Sequence, residues 1–349
     1  MLPTAGQLPD LAESPGTDAG IAATTAVLEE MAPTGSRRRL RLPRFMILLL
    51  HNKKSLFGLC MLSAIVLIAI LAPWIERTDP NAMDFTAIAQ APTWQHPFGT
   101  TQQGNDVFSQ VVRGARTSLL IGSSAAALAT LISAAIGMIA AYVGGLVDEA
   151  LNLLINIFLV LPGLPLLIVI SAYLPFHGGA VMVFLIALLT WSGEARVLRS
   201  FALTLRSRDF VLAAKTSGES LSRIIFGEIM PNMTSRIVAG FLGSFVGAIL
   251  FEAGLEFLGF GGGNGVSWGV TLFWAQNDAA LETGAWWHFF YPGMALALTA
   301  TSLIFINYGV DEISNPRLQG VKMPKQRRWR KAKASREVSS SAVVTGGRA

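Results

Sequence analysis

The sequence predicts an all-α, polytopic membrane protein with six transmembrane helices. The first observation is composition, since hydrophobic residues make up 52% of the chain and charged residues only 14%, whereas soluble domains contain about 25% charged residues. The second is that six segments are apolar over a length near the roughly 20 residues that a helix needs to cross a bilayer. Helices are expected because backbone N–H and C=O groups in lipid must be paired within their own segment. The predicted spans are residues 56–75, 118–143, 151–174, 180–191 with a polar continuation, 237–260 and 286–310.

The basic residues predict which ends of the spans face the cytoplasm. Most of the 27 Lys and Arg residues lie in three zones: before the first span, between the fourth and fifth spans, and after the sixth. Basic residues gather on the cytoplasmic side of membrane proteins, and an even number of crossings separates these zones. We therefore expect both termini and the segment 199–235 to be cytoplasmic. The net charge of +5 then reflects topology and contact with anionic membrane lipid, and no nucleic-acid partner is expected.

The predicted organisation follows from these spans and charges. The first 36 residues are rich in Pro, Gly, Ala and Thr and have no apolar periodicity, a composition that is typical of disorder. From the N-terminus, the predicted parts are a cytoplasmic tail (1–55, disordered to about residue 36 and then basic), the first transmembrane helix (56–76), an extracytoplasmic loop (77–117), a five-helix core (118–312) that contains the cytoplasmic segment 199–235, and a basic cytoplasmic tail (313–349).

Metal, nucleotide and enzyme chemistry are not predicted. The chain has a single cysteine, Cys60, and four scattered histidines without the spacing of a zinc site. It has no Gly-x-x-x-x-Gly-Lys-Ser/Thr phosphate loop. An intramembrane enzyme would need a nucleophile with a neighbouring base, and the Ser-rich stretches have no His or Asp close by in sequence. We therefore expect no catalytic residue, no metal and no cofactor.

The cytoplasmic segment contains the sequence VLAAKTSGESLSRIIFGEIMPN at residues 211–232. Good helix formers predict a short helix over 209–217, and Gly218 predicts a bend. The apolar residues that follow at helical spacing predict an amphipathic helix with one buried stripe; they are Leu221, Ile224, Ile225 and Ile229. Pro231 either ends this helix or opens the next span, because proline in a helix interior removes a hydrogen bond. A short helix with small residues at its tip can enter a groove on another protein.

At these residues the chain resembles the inner-membrane permease subunits of ABC importers. That family has a cytoplasmic Glu-Ala-Ala, three residues, Gly, a spacer and then Ile-x-Leu-Pro, and Ala213, Ala214, Gly218, Ile229 and Pro231 match in order and spacing. Leu212 stands where the family usually has Glu. The resemblance implies a type I permease fold in which these residues, together with Glu219, couple the permease to an ATPase.

Two further segments narrow the resemblance to the dipeptide, oligopeptide and nickel permeases. HPFGTTQQGNDVFSQ at residues 96–110 is similar to that group's His-Pro-Leu/Phe-Gly-Thr-Asp-x-x-Gly-Arg-Asp-x-x-Ser-Arg motif, with Thr101, Asn105 and Gln110 in place of Asp, Arg and Arg. FEAGLEFLGFG at residues 251–261 is similar to its Glu-Thr-Gly-Leu-Ser-Phe-Leu-Gly-Leu-Gly run. The arrangement is that of the second, "C"-type permease of a pair.

The resemblance implies a division of labour in a bacterial inner membrane. A second permease completes a heterodimer around the path, two ATP-binding subunits dock on the cytoplasmic segments, and an extracytoplasmic peptide-binding protein delivers di- or oligopeptides. A nickel or other small-solute importer is the alternative within the group. An ion-coupled secondary transporter is the alternative outside it, and would need an internal repeat and an ion site at the bilayer midplane.

Several intramembrane residues are candidates for the path or for a partner contact. Glu252 either lines the path or hydrogen-bonds locally near the outer interface, because a carboxylate in a span is costly. Pro162 and Pro165 predict a kink in the third span. Asp148 and Glu149 are interpreted as solvated loop charges. Small residues recur at every fourth position in two spans, where packing within the chain is favoured over contact with a partner permease; they are Gly122, Ala126, Thr130, Ala134, Gly240, Ser244 and Ala248.

Overall fold

The computed structural model describes residues 52–174, 178–261 and 265–314, and these residues are helical with no β-strand among them. The helices, numbered here in chain order, are α1 (Lys53–Ile75), α2 (Val107–Val143), α3 (Gly145–Val160), α4 (Gly163–Tyr173), α5 (Gly179–Arg206), α6 (Asp209–Thr216), α7 (Leu221–Phe260), α8 (Trp268–Asn277) and α9 (Trp287–Ser314). Apart from residues 52–55 and 313–314, the two predicted cytoplasmic tails lie outside the described residues.

Five helices in the described part of the chain are each long and apolar enough to cross a membrane, namely α1, α2, α5, α7 and α9. The bent pair of α3 and α4 gives a sixth span when the two are counted together. The prediction of an all-α protein with six spans is confirmed on this count, with the third span broken.

The break in the third span lies at Leu161 and Pro162, where α3 and α4 meet at an angle of 86°. Pro162 immediately precedes α4, and Pro165 lies in the first turn of that helix. Both positions suit proline, because the first N–H groups of a helix have no intrahelical acceptor. The predicted kink is therefore confirmed, and it is sharp enough to divide the span into two helices.

The loop before the second span ends earlier than expected. The loop was predicted over 77–117, but α2 begins at Val107 because Asp106 caps it. One carboxylate oxygen of Asp106 accepts hydrogen bonds from the backbone N–H and the hydroxyl of Ser109, at 2.9 and 2.6 Å. The other lies 3.0 Å from Nδ1 of His96. The helix α8 was not predicted, and its N-terminus is capped by Ser267, whose hydroxyl accepts from the N–H of Val270.

The motif at residues 96–110 also folds this loop through neutral hydrogen bonds. The Thr100 hydroxyl donates to the carbonyl of Ala87 and accepts from the N–H of Gln90. The Thr101 hydroxyl donates to the Asn105 side-chain oxygen at 3.1 Å. Thr101 and Asn105 stand at positions where the resembling family has Asp and Arg. A neutral pair in this chain therefore occupies the place of two charged residues.

Close packing of α2 against α5 and α7 forms the centre of the bundle. All four small residues of the α2 stripe are buried within the chain. At Gly122 the helices approach so closely that an added Cβ would lie 2.4 Å from Cγ1 of Ile249. The stripe on α2 therefore serves packing within the chain, as the sequence favoured.

Substituting Gly122 by Ala should destabilise the bundle by about 1–3 kcal/mol, because the added methyl overlaps Ile249. Gly247→Ala is the matched control, since Gly247 lies on α7 with open space around its Cβ position, and Ala there has the better helix propensity. Thermal unfolding in one detergent, followed by size-exclusion chromatography, compares the two. Equal melting temperatures for both variants would contradict the packing interpretation.

Candidate functional site

The segment that was predicted to be cytoplasmic forms an elbow, defined here as residues 209–233: helix α6, a bend at Gly218 and the first turns of α7. Gly218 has φ +77°, a left-handed conformation that glycine adopts without steric cost. Its N–H donates to the carbonyl of Lys215 at 3.1 Å, and the N–H of Glu219 donates to the carbonyl of Ala214 at 3.2 Å. This pair of bonds is a Schellman motif, which ends a helix and turns the chain. The predicted helix and bend are confirmed.

After the bend, the chain enters α7 and stays helical through Pro231 to the outer end of the span. The stretch Ile224–Ile229 is π-helical, and Pro231 lies in the first turn of the regular helix that follows. Proline has no N–H and crowds the carbonyl four residues earlier, and the wider π turn directly before it relieves this conflict. Pro231 therefore opens the span, the second of its two predicted roles. The elbow is continuous with a membrane-spanning helix.

The inner face of the elbow is buried against the ends of two other spans. Its apolar side chains form one cluster with side chains of α2 and α5. The members from the elbow are Val211, Ile224, Ile225, Ile229 and Met233, and those from α2 and α5 are Ala134, Met138, Ala141, Leu198 and Ala202. Ile229, which matches the family motif, is therefore a packing residue that secures the elbow to the bundle.

Charged side chains reinforce the same end of the bundle. Arg206 donates to the carbonyl of Ala141 at 3.0 Å, in the last turn of α2, where a cation is favoured by the helix dipole. Arg199 on α5 makes two hydrogen bonds to Asp148 on α3, at 2.6 and 2.7 Å. The interpretation of Asp148 as a solvated loop charge is thus wrong. Sequence reasoning missed this pair because its members lie on different helices.

The outer face of the elbow is apolar and exposed; we call it the elbow surface. Phe226 is 65% exposed and Leu212 48%. Ala213 and Gly218 are exposed beside them, while Ala214 and Glu219 are half-buried. The complete elbow surface consists of Phe210, Leu212, Ala213, Leu221 and Phe226.

Two assignments on this surface differ from the sequence analysis. Leu221 was expected on the buried stripe but is exposed, because it precedes the π-helical stretch from which the buried isoleucines project. Phe210 and Phe226 were not predicted. The sequence does contain a signal for them, because both are aromatic residues in a charged segment and lie outside the predicted buried stripe. Exposed apolar groups clustered in this way mark interaction surfaces.

Glu252 lies in the interior of the bundle. Its side chain is fully buried, and its Oε1 accepts a hydrogen bond from the Ser118 hydroxyl at 3.0 Å. One turn later, Glu256 accepts from the Ser267 hydroxyl. These contacts join α2, α7 and the start of α8. A role of Glu252, Pro162 or Pro165 in the path or in a partner contact stays a prediction.

Comparison with known families is decisive. A family model described as the binding-protein-dependent transport system inner membrane component matches residues 133–320, more than half of the chain. The chain belongs to this family. A second model, described as the N-terminal TM domain of oligopeptide transport permease C, matches residues 44–92 of this permease. The recognition of an ABC importer permease from its sequence motifs is thereby confirmed.

The permease is also similar over most of its length to curated proteins. A putative peptide permease protein of Brucella suis is 34% identical over 271 residues, which cover 77% of this chain and 89% of the relative. A putative peptide transport system permease protein of Brucella abortus is 33% identical, with 78% and 90% covered. The di/tripeptide transport system permease protein of Pseudomonas aeruginosa is 30% identical, with 77% and 90% covered.

Family membership establishes the general role. The chain is a multi-pass membrane component of a transport system rather than an enzyme, and ATP hydrolysis takes place on separate subunits. It works together with further subunits of a binding-protein-dependent system.

Replacing Gly218 by Ala should destabilise the bend of the permease by about 1–2 kcal/mol, the cost of a left-handed conformation for a residue with a Cβ. Gly227→Ala is the matched control, because Gly227 is helical and its added Cβ would meet only Arg223 Cγ, at 3.9 Å. Amide hydrogen exchange at residues 214–219 should accelerate in Gly218→Ala alone. Unchanged exchange in that variant would show that the Schellman geometry does not hold the bend.

Proposed function

We propose that this permease is the second, C-type membrane subunit of an ATP-driven importer of di- or oligopeptides. It pairs with a different permease to enclose the path, docks two ATP-binding subunits and receives peptide from an extracytoplasmic binding protein. Its relatives are named as peptide permeases, which supports peptide as the cargo. The match to the oligopeptide permease C model supports the second position of the pair.

The observation that supports coupling best is that the elbow has two different faces. Its exposed face, the elbow surface, is apolar, and its inner face is buried against α2 and α5. Exposed Phe and Leu side chains favour burial against a partner. Helix α6 is short, and its small residues Ala213 and Ala214 allow the backbone to approach a groove closely. These properties suit a helix that docks into a cleft of an ATP-binding subunit.

Firm packing lets the elbow act on the spans. Because α7 continues from Leu221 to Phe260, a displacement of the elbow displaces a whole transmembrane helix. The buried cluster carries the same displacement to α2 and α5. Moving an equilibrium between two access states from 1:99 to 99:1 requires about 5.5 kcal/mol of differential binding. A loosely attached elbow would lose that energy in local motion.

The proposal includes an orientation in a bacterial inner membrane. The elbow and both termini face the cytoplasm, and the loop between α1 and α2 faces outward. The basic side chains around the elbow support this orientation, since Arg199, Arg206 and Arg236 all lie at this end of the bundle.

Phe226→Asp should abolish docking of the ATP-binding subunits, because a charge replaces the most exposed aromatic group of the elbow surface. Truncation of such groups costs about 2 kcal/mol or more, which is about 30-fold in affinity. Phe85→Asp is the matched control, since Phe85 is 74% exposed in the outer loop. Co-purification with the ATP-binding subunits should fail only for Phe226→Asp. Equal co-purification of both variants would refute the docking assignment.

Uptake by the complete importer tests the function itself. Both permeases and both ATP-binding subunits, placed in liposomes with the binding protein, should accumulate radiolabelled dialanine only when ATP is hydrolysed. Phe226→Asp should abolish uptake and Phe85→Asp should retain it. Nickel uptake without peptide uptake would overturn the peptide assignment, and uptake driven by an ion gradient without ATP would overturn the mechanism.

A further inference from the structure

A cavity of about 390 Å³ with a mixed polar and apolar lining lies among the outer loop, the start of α2, helix α8 and the start of α9. The chain segments that form it are far apart in sequence. Its described lining residues are Asn81, Met83, Thr101, Gln103, Asn105, Gln110, Gly265, Val266, Val270, Thr271, Trp274, Asp278 and His288. Neither the elbow nor the proposed coupling mechanism uses this cavity.

Three of the lining side chains contain buried polar atoms that have no hydrogen-bond partner in the described part of the chain. They are Oε1 of Gln110, Oδ2 of Asp278 and both ring nitrogens of His288. The His288 side chain is 0% exposed. Buried polar groups are normally hydrogen-bonded, so these three residues mark the cavity as a candidate polar binding site.

Two other polar side chains of the lining have partners within the protein. The Asn105 amide donates to the carbonyl of Ala82 at 2.9 Å, and the Thr271 hydroxyl donates to the carbonyl of Ser267 at 2.8 Å. Gln110 donates through its amide nitrogen to the carbonyl of Pro80 at 3.3 Å, so its oxygen is the free end. The unsatisfied set therefore consists mainly of acceptors: an amide oxygen, a carboxylate oxygen and the unprotonated nitrogen of a neutral imidazole.

The charge of the cavity determines the class of ligand. Asp278 is the only carboxylate among the described lining residues, and no Lys or Arg is among them. The described residues also contain no group of three or more His, Cys, Asp and Glu side chains suited to a metal ion. We propose that the cavity binds a primary ammonium group, as found at the free amino end of a small peptide.

An ammonium group matches the three unsatisfied acceptors in number and in charge. It has three N–H donors, one for each of Asp278, Gln110 and His288. Hydrogen bonds in which one partner is ionised are stronger than neutral ones. Trp274 provides an aromatic wall of the kind that attracts cations, and Met83 provides an apolar surface for the carbon atoms next to the nitrogen.

The environment of Asp278 shows that the empty cavity disfavours its charge. Burial raises the pKa of the Asp278 carboxyl, and the hydrogen bond from Gln103 lowers it in part. A carboxylate whose folded-state pKa is raised costs stability above that pKa. Asp278→Asn should therefore leave the empty protein at least as stable at neutral pH, and a loss of binding in this variant would not reflect unfolding.

The choice of a peptide amino end rests on the proposed function, but the test does not require transport. The purified permease pair in lipid nanodiscs, without ATP-binding subunits, is titrated with dialanine and with N-acetyldialanine by saturation-transfer NMR. Dialanine should bind, and N-acetyldialanine, which has no ammonium group, should not. Asp278→Asn should bind dialanine about tenfold more weakly, as expected for a lost charged hydrogen bond.

Glu282→Gln is the matched control, because Glu282 is an exposed carboxylate in the same connection that does not line the cavity; its affinity should be unchanged. Three outcomes would each overturn the proposal. The two peptides could bind equally, the two substitutions could have equal effects, or dialanine could fail to bind, in which case the cavity holds water only. If Asp278→Asn is not monodisperse, Gln110→Met decides, since weaker binding supports the site and unchanged binding refutes it. Binding without ATP-driven peptide uptake would refute the proposed function and leave the site intact.

Discussion

The packing of the elbow onto the ends of α2 and α5 is the interaction on which the rest of the structure depends. Ile224, Ile229 and Met233 are almost completely buried in one cluster with residues of both helices. Because the cluster is apolar and buried, moving the elbow away from the two helices would expose its side chains to water. The exposed face of the same segment is thereby held in one position, where a partner can bind it.

A second set of contacts fixes the opposite ends of the helices. Ser118 donates to Glu252, and the indole N–H of Trp268 donates to the carbonyl of Val111, so that α2 is joined to α7 and α8. Helix α2 has 37 residues, a length of about 55 Å. It therefore connects the capped loop at Asp106 to the elbow cluster at Ala141. A helix of this length can transmit a displacement from one end of the bundle to the other.

Sequence reasoning predicted local features well and relations between helices poorly. The bend at Gly218 and the break at Pro162 were predicted because glycine and proline restrict their own backbone. The early start of α2 at Val107 was missed because residues 107–117, which include Gln110, Arg113 and Arg116, were interpreted as loop. The exposure of Leu221 was missed because a π-helical stretch shifts the helical period, and periodicity alone does not reveal it.

The sequence by itself determined the class of the protein and the positions of its spans, because backbone pairing in lipid requires long apolar helices whatever their neighbours are. It also determined the family, through motifs that are continuous in the chain. Only the tertiary structure decided which faces are buried, that Asp148 pairs with Arg199, and that Gln110, Asp278 and His288 line one cavity. Those residues are distant in sequence, and the packing of whole helices brings them together.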